Sequence, residues 1–236
     1  MTLDEAPTFP PLLHGEETPA GMEPFAKAVA QAALGVDPGL VTWARDEAAL
    51  RAALVLAPEV PLSEAVSAVF AVALGLGDAI GALAPPEVAV HHVWPATVKV
   101  NGGDCGYLRA AASTTDPAAE PDWLVVGVHV DYLLPGAGEP GRAPEQTCLA
   151  EEGCIEVTPP LLLESWARHT LVWINRWLDD GFRPLHEAWR ERAWKLGEQL
   201  PDGSLFLGLD ERGGMLLRKA RATELRPLTA MLEDLG

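Results

Sequence analysis

The chain has 236 residues, 48% hydrophobic and 22% charged, enough for one large globular domain or one domain with a small appendage. Acidic side chains number 34 against 17 basic ones, and the resulting net charge of −17 argues against nucleic acid or an anionic membrane as partner, since phosphate binding needs clustered Lys and Arg. Cys105, Cys148 and Cys154 are odd in number and fit no zinc spacing, and no basic-then-apolar leader precedes the first helix, so a reduced, cytoplasmic setting is expected.

Residues 1 to 21, with Pro7, Pro10, Pro11 and Pro19, read as an extended lead-in on the domain surface. A helix follows from Met22 to Leu34, burying Phe25 and Val29 and stopping at Gly35. Val41 to Trp43 and Ala53 to Leu56 are short apolar runs that read as strands. From Leu62 to Leu83 apolar residues recur at helical spacing, interrupted by Ser67, Gly75, Gly77 and Asp78, which favours a core helix over a membrane span.

Val88 to Leu108 reads as paired strands around a hairpin, because Asn101-Gly102 can adopt the positive φ angles of a two-residue turn. That turn makes Lys99 the cross-strand neighbour of Asp104, on one face. Leu124 to Asp131 is apolar enough for a central strand, and residues 135 to 144 form a Gly- and Pro-rich loop. Leu161 to Asp180 is a helix carrying Trp166, Trp173 and Trp177 with an i to i+4 pair of Glu164 and Arg168. Another opens at Pro184 and stops near Gly197. From Pro201 onward short apolar runs between glycines read as a small β unit, closed by a helical end from Pro227 to Leu235.

The residues Trp94-Pro95, Asn101-Gly102 and, close behind, Gly106 resemble the strand pair of the biotin and lipoate protein ligases, written W-P-N-D-x-x-x-N-G-x-K. The run Val125 to Asp131 is similar to the same family's V-x-G-I-G-I-N, with His129 on a glycine and Asp131 on the asparagine. The resemblance implies an α+β fold in which helices flank a mixed sheet. It places a ligase-like domain over 1–199 and a small barrel-type β module of the SH3-like kind over 200–236. It extends to ligase-like proteins that carry a C-terminal domain of unknown function.

Where this chain departs from the family, the departures fall on its chemistry. Ala96-Thr97 replaces the Asn-Asp pair, and the lysine that holds the acyl-adenylate falls on Asp104. At about 4 Å and an effective dielectric of about 20, each unit charge is worth about 4 kcal/mol, so an acid there inverts the local field. The family's glycine- and arginine-rich adenylate loop is reduced to Gly39 through Asp46, with one glycine and one arginine, Arg45.

The candidate catalytic pair is therefore Lys99 and Asp104, with Lys99 able to stand in for the missing lysine. Candidate ligand-binding residues are Trp43, Arg45, Trp94, Pro95, Asn101, Gly102, Cys105, Gly106, His129 and Asp131. Cys105 reads first as a small buried hydrophobe; His91 and His92, consecutive on a strand, point opposite ways and cannot hold one ion together, and a hydrogen-bonded histidine is favoured over a metal site of His129, Asp131 and one of them, so no metal ligand is assigned. The resemblance implies a protein that binds a carboxylated acyl cofactor such as biotin, lipoate or a fatty acyl group. If active, it would use ATP and pass the acyl group to a carrier-protein lysine; the alternative is an inactive module that binds or senses a small carboxylate or nucleotide. A second copy of the chain is a further expected partner.

Overall fold

Two largely apolar runs, Ala49–Leu56 and Leu124–Asp131, pair antiparallel over their full lengths and form the centre of the fold. The computed structural model describes residues 6–134 and 145–234. In chain order the elements are β1 (His14–Glu17), α1 (Pro24–Ala33), β2 (Leu40–Trp43), β3 (Ala49–Leu56), α2 (Leu62–Ala65) and α3 (Ala68–Leu83). Then come β4 (Val90–Val93), β5 (Thr97–Val100), β6 (Gly103–Ala112), β7 (Leu124–Asp131), α4 (Pro159–Asp180) and α5 (Arg183–Glu191). The chain ends in β8 (Leu205–Leu209), β9 (Met215–Lys219), β10 (Ala222–Arg226) and a 3₁₀ turn, Leu228–Met231.

The main sheet has seven strands in the order β1-β2-β3-β7-β6-β5-β4, with β1 and β2 its parallel pair, and β8 to β10 form a separate three-stranded antiparallel sheet. One face of the main sheet carries the larger core, in which Phe70 of α3, Trp166 of α4 and Trp189 of α5 are all but completely buried. On the other face α1 lays Phe25, Ala28 and Ala32 against Ala53, Val55, Ala111 and Val125. A helix of ten residues is about 15 Å long and covers only part of a seven-stranded sheet. The rest of that face stays open, and it is there that polar side chains collect.

Several elements differ from their expected bounds. The lead-in contributes β1, a strand of exposed residues with no apolar pattern to announce it, and it is fastened to α4 by Thr8, whose N and Oγ1 both donate to Glu164 Oε1 at 2.8 and 3.0 Å. β3 begins four residues earlier than Ala53, because Ala49 to Ala52 continue its pairing with β7. The helix expected from Leu62 to Leu83 is broken at Val66-Ser67. Its apolar window has a membrane-like mean hydropathy of 1.9, but 78% of it is buried within the protein, as in a core helix.

Trp94-Pro95, joined by a cis peptide bond, ends β4 and separates it from β5, so the segment before the hairpin is two strands rather than one. α5 stops at Glu191, and residues 192 to 199 run on through turns. The small C-terminal sheet shares the larger core through Phe206, Leu209, Met215 and Leu217. The expected loop at 135 to 144 lies outside the described residues.

Candidate functional site

At the hairpin, Asn101 and Gly102 adopt φ of 49° and 92°, the doubly positive geometry that a type I′ turn requires and that Asn and Gly accept at low cost. Asn101 adds two side-chain bonds, accepting from Ala89 N and donating to Glu152 Oε2. The turn sets Lys99 opposite Asp104, and the ammonium meets the carboxylate at 2.6 Å. Lys99 Nζ also donates to Gly102 O at 3.1 Å and lies 5.4 Å from the Trp194 ring centre, so its positive charge is largely spent on neighbours.

Beyond the turn, the β5–β6 register slips near Val98, so that Val98 faces Gly106 and Cys105 is the extra residue. A methyl group on Gly106 would collide with His129 O and lie 3.1 Å from Val130 Cα, so only glycine lets β6 approach β7 this closely. Cys105 is fully buried, and burial together with the negative charge of Asp131 holds its thiol protonated, far from a reactive thiolate.

From Thr97 a row of registered neighbours crosses the open face: Thr97 beside Tyr107, Tyr107 beside His129, His129 beside Arg51. Tyr107, 45% exposed, stacks on His129 with ring centres 4.9 Å apart and planes 12° from parallel. His129 and Asp131, two residues apart on β7, point to one side, and Nε2 and Oδ1 are 2.9 Å apart. One row further along, Arg109 covers the Phe25 ring at 4.4 Å and is gripped by both oxygens of Glu233, with Glu23 at 3.4 Å. The hydrogen bonds that Arg109 donates to Glu233, together with the charge of that carboxylate, raise the Arg109 pKa, and the same pair lowers that of Glu233.

Among the described residues, the cations named on this face already have carboxylates: Arg51 pairs with Asp46 at 2.8 Å, Lys99 with Asp104 and Arg109 with Glu233, and off the face, beside β1, Arg45 meets Glu17 through two nitrogens. Of the expected adenylate loop, Gly39 through Asp46, Leu40–Trp43 is strand β2, and the connection from β2 to β3 is residues 44 to 48 alone, closed by Ala44 N to Arg51 O and Ala48 N to Asp46 Oδ1.

The structure thus brings Lys99, Asp104, His129 and Asp131 onto one face. It sets the remaining candidates apart from it. Trp43 belongs to the core on the other face, and Arg45 lies 5.6 Å from its ring beside β1. Trp94 donates Nε1–H to Gly213 O at 2.9 Å, which ties the small sheet to the large one, and Pro95 shapes the bend beside it. Asn101, Gly102 and Gly106 serve the turn and the strand contact. Tyr107, Arg109 and Arg51 were not singled out from sequence, although the alternation Gly106-Tyr107-Leu108-Arg109 puts Tyr107 and Arg109 on one side of β6. Among the described residues no group of three metal-ligating side chains gathers.

The family of biotin/lipoate A/B protein ligases matches residues 9–191 of this chain. A crystal structure of a biotin protein ligase-like protein of unknown function from Silicibacter sp. TM1040 is 49% identical, covers 97% of this chain and 100% of its own, and superposes with a TM-score of 0.91. A protein of Paracoccus denitrificans named biotin--[acetyl-CoA-carboxylase] ligase is 29% identical over 195 residues, 78% of this chain and 80% of its own. The biotin protein ligase of Aquifex aeolicus, solved with biotin and ATP, shares the fold at 16% identity, with a TM-score of 0.68 over 91% of this chain and 95% of its own. With the fold, the hairpin and the family match in agreement, the chain belongs to the biotin/lipoate A/B protein ligase family.

Proposed function

We propose that this protein binds a small carboxylated acyl ligand of the biotin, lipoate or fatty-acyl class on the open sheet face, without converting it to an adenylate. The observation that carries this reading is the Lys99–Asp104 ion pair, 2.6 Å long, where the resemblance expects an unopposed lysine. An acyl-adenylate brings a phosphoryl anion, and Lys99, Arg45, Arg51 and Arg109 are all engaged by acids. The short β2–β3 connection offers few backbone amides in compensation.

A second reading, ATP-dependent activation and transfer to a carrier-protein lysine, draws support from the 29% identity to the Paracoccus denitrificans protein named as a biotin ligase. The two separate in one experiment, thermal unfolding of the full chain with biotin, lipoate, octanoate, ATP or a non-hydrolysable biotinyl-adenylate. A free acid at 100 times its Kd is expected to add about 2.7 kcal/mol of stability, with no effect of ATP or the adenylate. Stabilisation by the adenylate alone, or release of pyrophosphate from ATP when acid is added, would replace the first reading by the second.

A further inference from the structure

On the opposite side of the main sheet, a cleft of about 940 Å³ opens between the end of β3, the start of α2, the C-terminal end of α4 and the β8–β9 turn. None of the candidate site residues named above lines it. Its volume is in the range that takes small organic ligands, and Leu56, Val60, Ile174, Trp177 and Phe182 give it an apolar wall with two aromatic rings.

Its electrostatics are one-sided. Glu59, Glu64 and Glu211 line it against a single basic residue, Arg212, whose Nη1 reaches toward Ser63 Oγ at 3.5 Å. α4, 22 residues long, points its C-terminal end at the cleft through Trp177, Leu178 and Gly181. The carbonyls at that end carry the negative end of the helix dipole and favour cations. The last turn of α4 nevertheless holds no basic residue and ends in Asp179-Asp180. Two acids at a negative helix end leave a deficit of positive charge that, among the described residues, no basic side chain of the last turn fills.

A further polar group is left over in the lining. Ser67, 1% exposed, stands at the N-cap of α3 but makes no capping bond, and its hydroxyl has no hydrogen-bond partner. A buried hydroxyl without a partner costs about 1–3 kcal/mol, a cost that a hydrogen-bonding ligand group removes.

The geometry points to a second ligand site in this cleft, for a small organic cation, an amine or guanidine on an aromatic or aliphatic body. The apolar part lies along Trp177, Phe182 and Ile174, and the cationic end lies toward Glu59, Glu211 and the end of α4. Trp177 adds a ring face for cation–π contact. This site is independent of the acyl-ligand reading.

The test is calorimetric titration of the full chain with tryptamine, its neutral counterpart tryptophol and its acidic counterpart indole-3-acetate. Tryptamine is expected to bind, with tryptophol weaker by about tenfold, or 1.4 kcal/mol, and indole-3-acetate not detectable. The double variant Glu59→Gln/Glu211→Gln, at two exposed positions, should bind tryptamine about tenfold more weakly. Leu178→Arg, at a side chain 69% exposed, should abolish binding by placing a tethered cation in the cleft. Circular dichroism checks that both variants fold. Failure of tryptamine to bind, equal binding of tryptophol or indole-3-acetate, or tryptamine binding unchanged in both variants would overturn the proposal.

Discussion

Lys99 and Asp104 face each other across a two-residue turn, Nζ to Oδ1 at 2.6 Å, with the lysine 13% exposed and the acid 41%. The pair neutralises the one ammonium on the hairpin. Replacing the acid by Asp104→Lys removes a negative charge and adds a positive one at the position where the resemblance has lysine. Affinity for a non-hydrolysable biotinyl-adenylate is expected to rise about tenfold, less than the bare Coulomb figure because Asp104 is partly solvated. Titration calorimetry at low salt measures it. An unchanged affinity would mean that the charge at 104 does not set the field of this face.

His92 carries a pH dependence of stability. It is 2% exposed, neither ring nitrogen has a partner, and burial with the nearby Arg192 guanidinium lowers its pKa to about 3. An unfolded chain binds a proton at this imidazole below about pH 6.5, while the folded chain does not until about pH 3. Stability therefore falls as pH drops through that window, by up to about 1.4 kcal/mol per unit from this group. His92→Leu should leave stability at pH 7 within about 1 kcal/mol and flatten the slope between pH 6 and 4. Urea denaturation of both proteins across that range decides it, and parallel slopes would rule it out.

Gly106→Ala should be among the most destabilising of small substitutions. Its methyl would press on the backbone of His129 and Val130, atoms that can move only if β6 and β7 part. The expected loss is about 2–3 kcal/mol in denaturant titration. Gly102→Ala meets no such contact, its nearest neighbour being the Trp194 ring at 3.5 Å, and pays only for its positive φ, about 1 kcal/mol. Reversal of that order would refute the account of the hairpin.

The hairpin was legible because its determinants are local: Asn-Gly fixes the turn, and the turn fixes the facing of Lys99 and Asp104. The same holds for His129 and Asp131, whose shared side follows from strand alternation alone. The stack of Tyr107 on His129 depends on the β6–β7 register, which no short pattern encodes. The bond between Arg109 and Glu233 joins residues 124 apart in the chain. β1 was illegible for a related reason: its four residues are exposed, and their pairing comes from the edge offered by β2. Apolar residues keep helical spacing on both sides of the break at Val66-Ser67, which is why one helix was expected there. What was retained of the family pattern proves to be what the backbone needs, Trp94 for the module contact, Asn101-Gly102 for the turn and Gly106 for the strand approach.

The end of the chain guards Arg109. Past the 3₁₀ turn, Leu232 lies parallel to Ala110 and Glu233 N donates to Ala110 O at 2.9 Å, which extends the sheet where β5 no longer pairs with β6. That placement lets the Glu233 carboxylate take both the Nε and Nη2 donors of Arg109. Because Arg109 holds the folded Glu233 pKa below its ordinary 4.5, the pair stabilises the protein above that value, and the contribution is lost as pH falls through the lowered pKa. Both side chains are about a third exposed, so Glu233→Gln should cost at most about 1 kcal/mol at pH 7. The difference from the parent should shrink at pH 3 and in 1 M salt, where protonation or screening removes the same attraction. Chemical denaturation under the three conditions tests this, and a difference that is the same in all of them would mean that Glu233 acts through packing rather than charge.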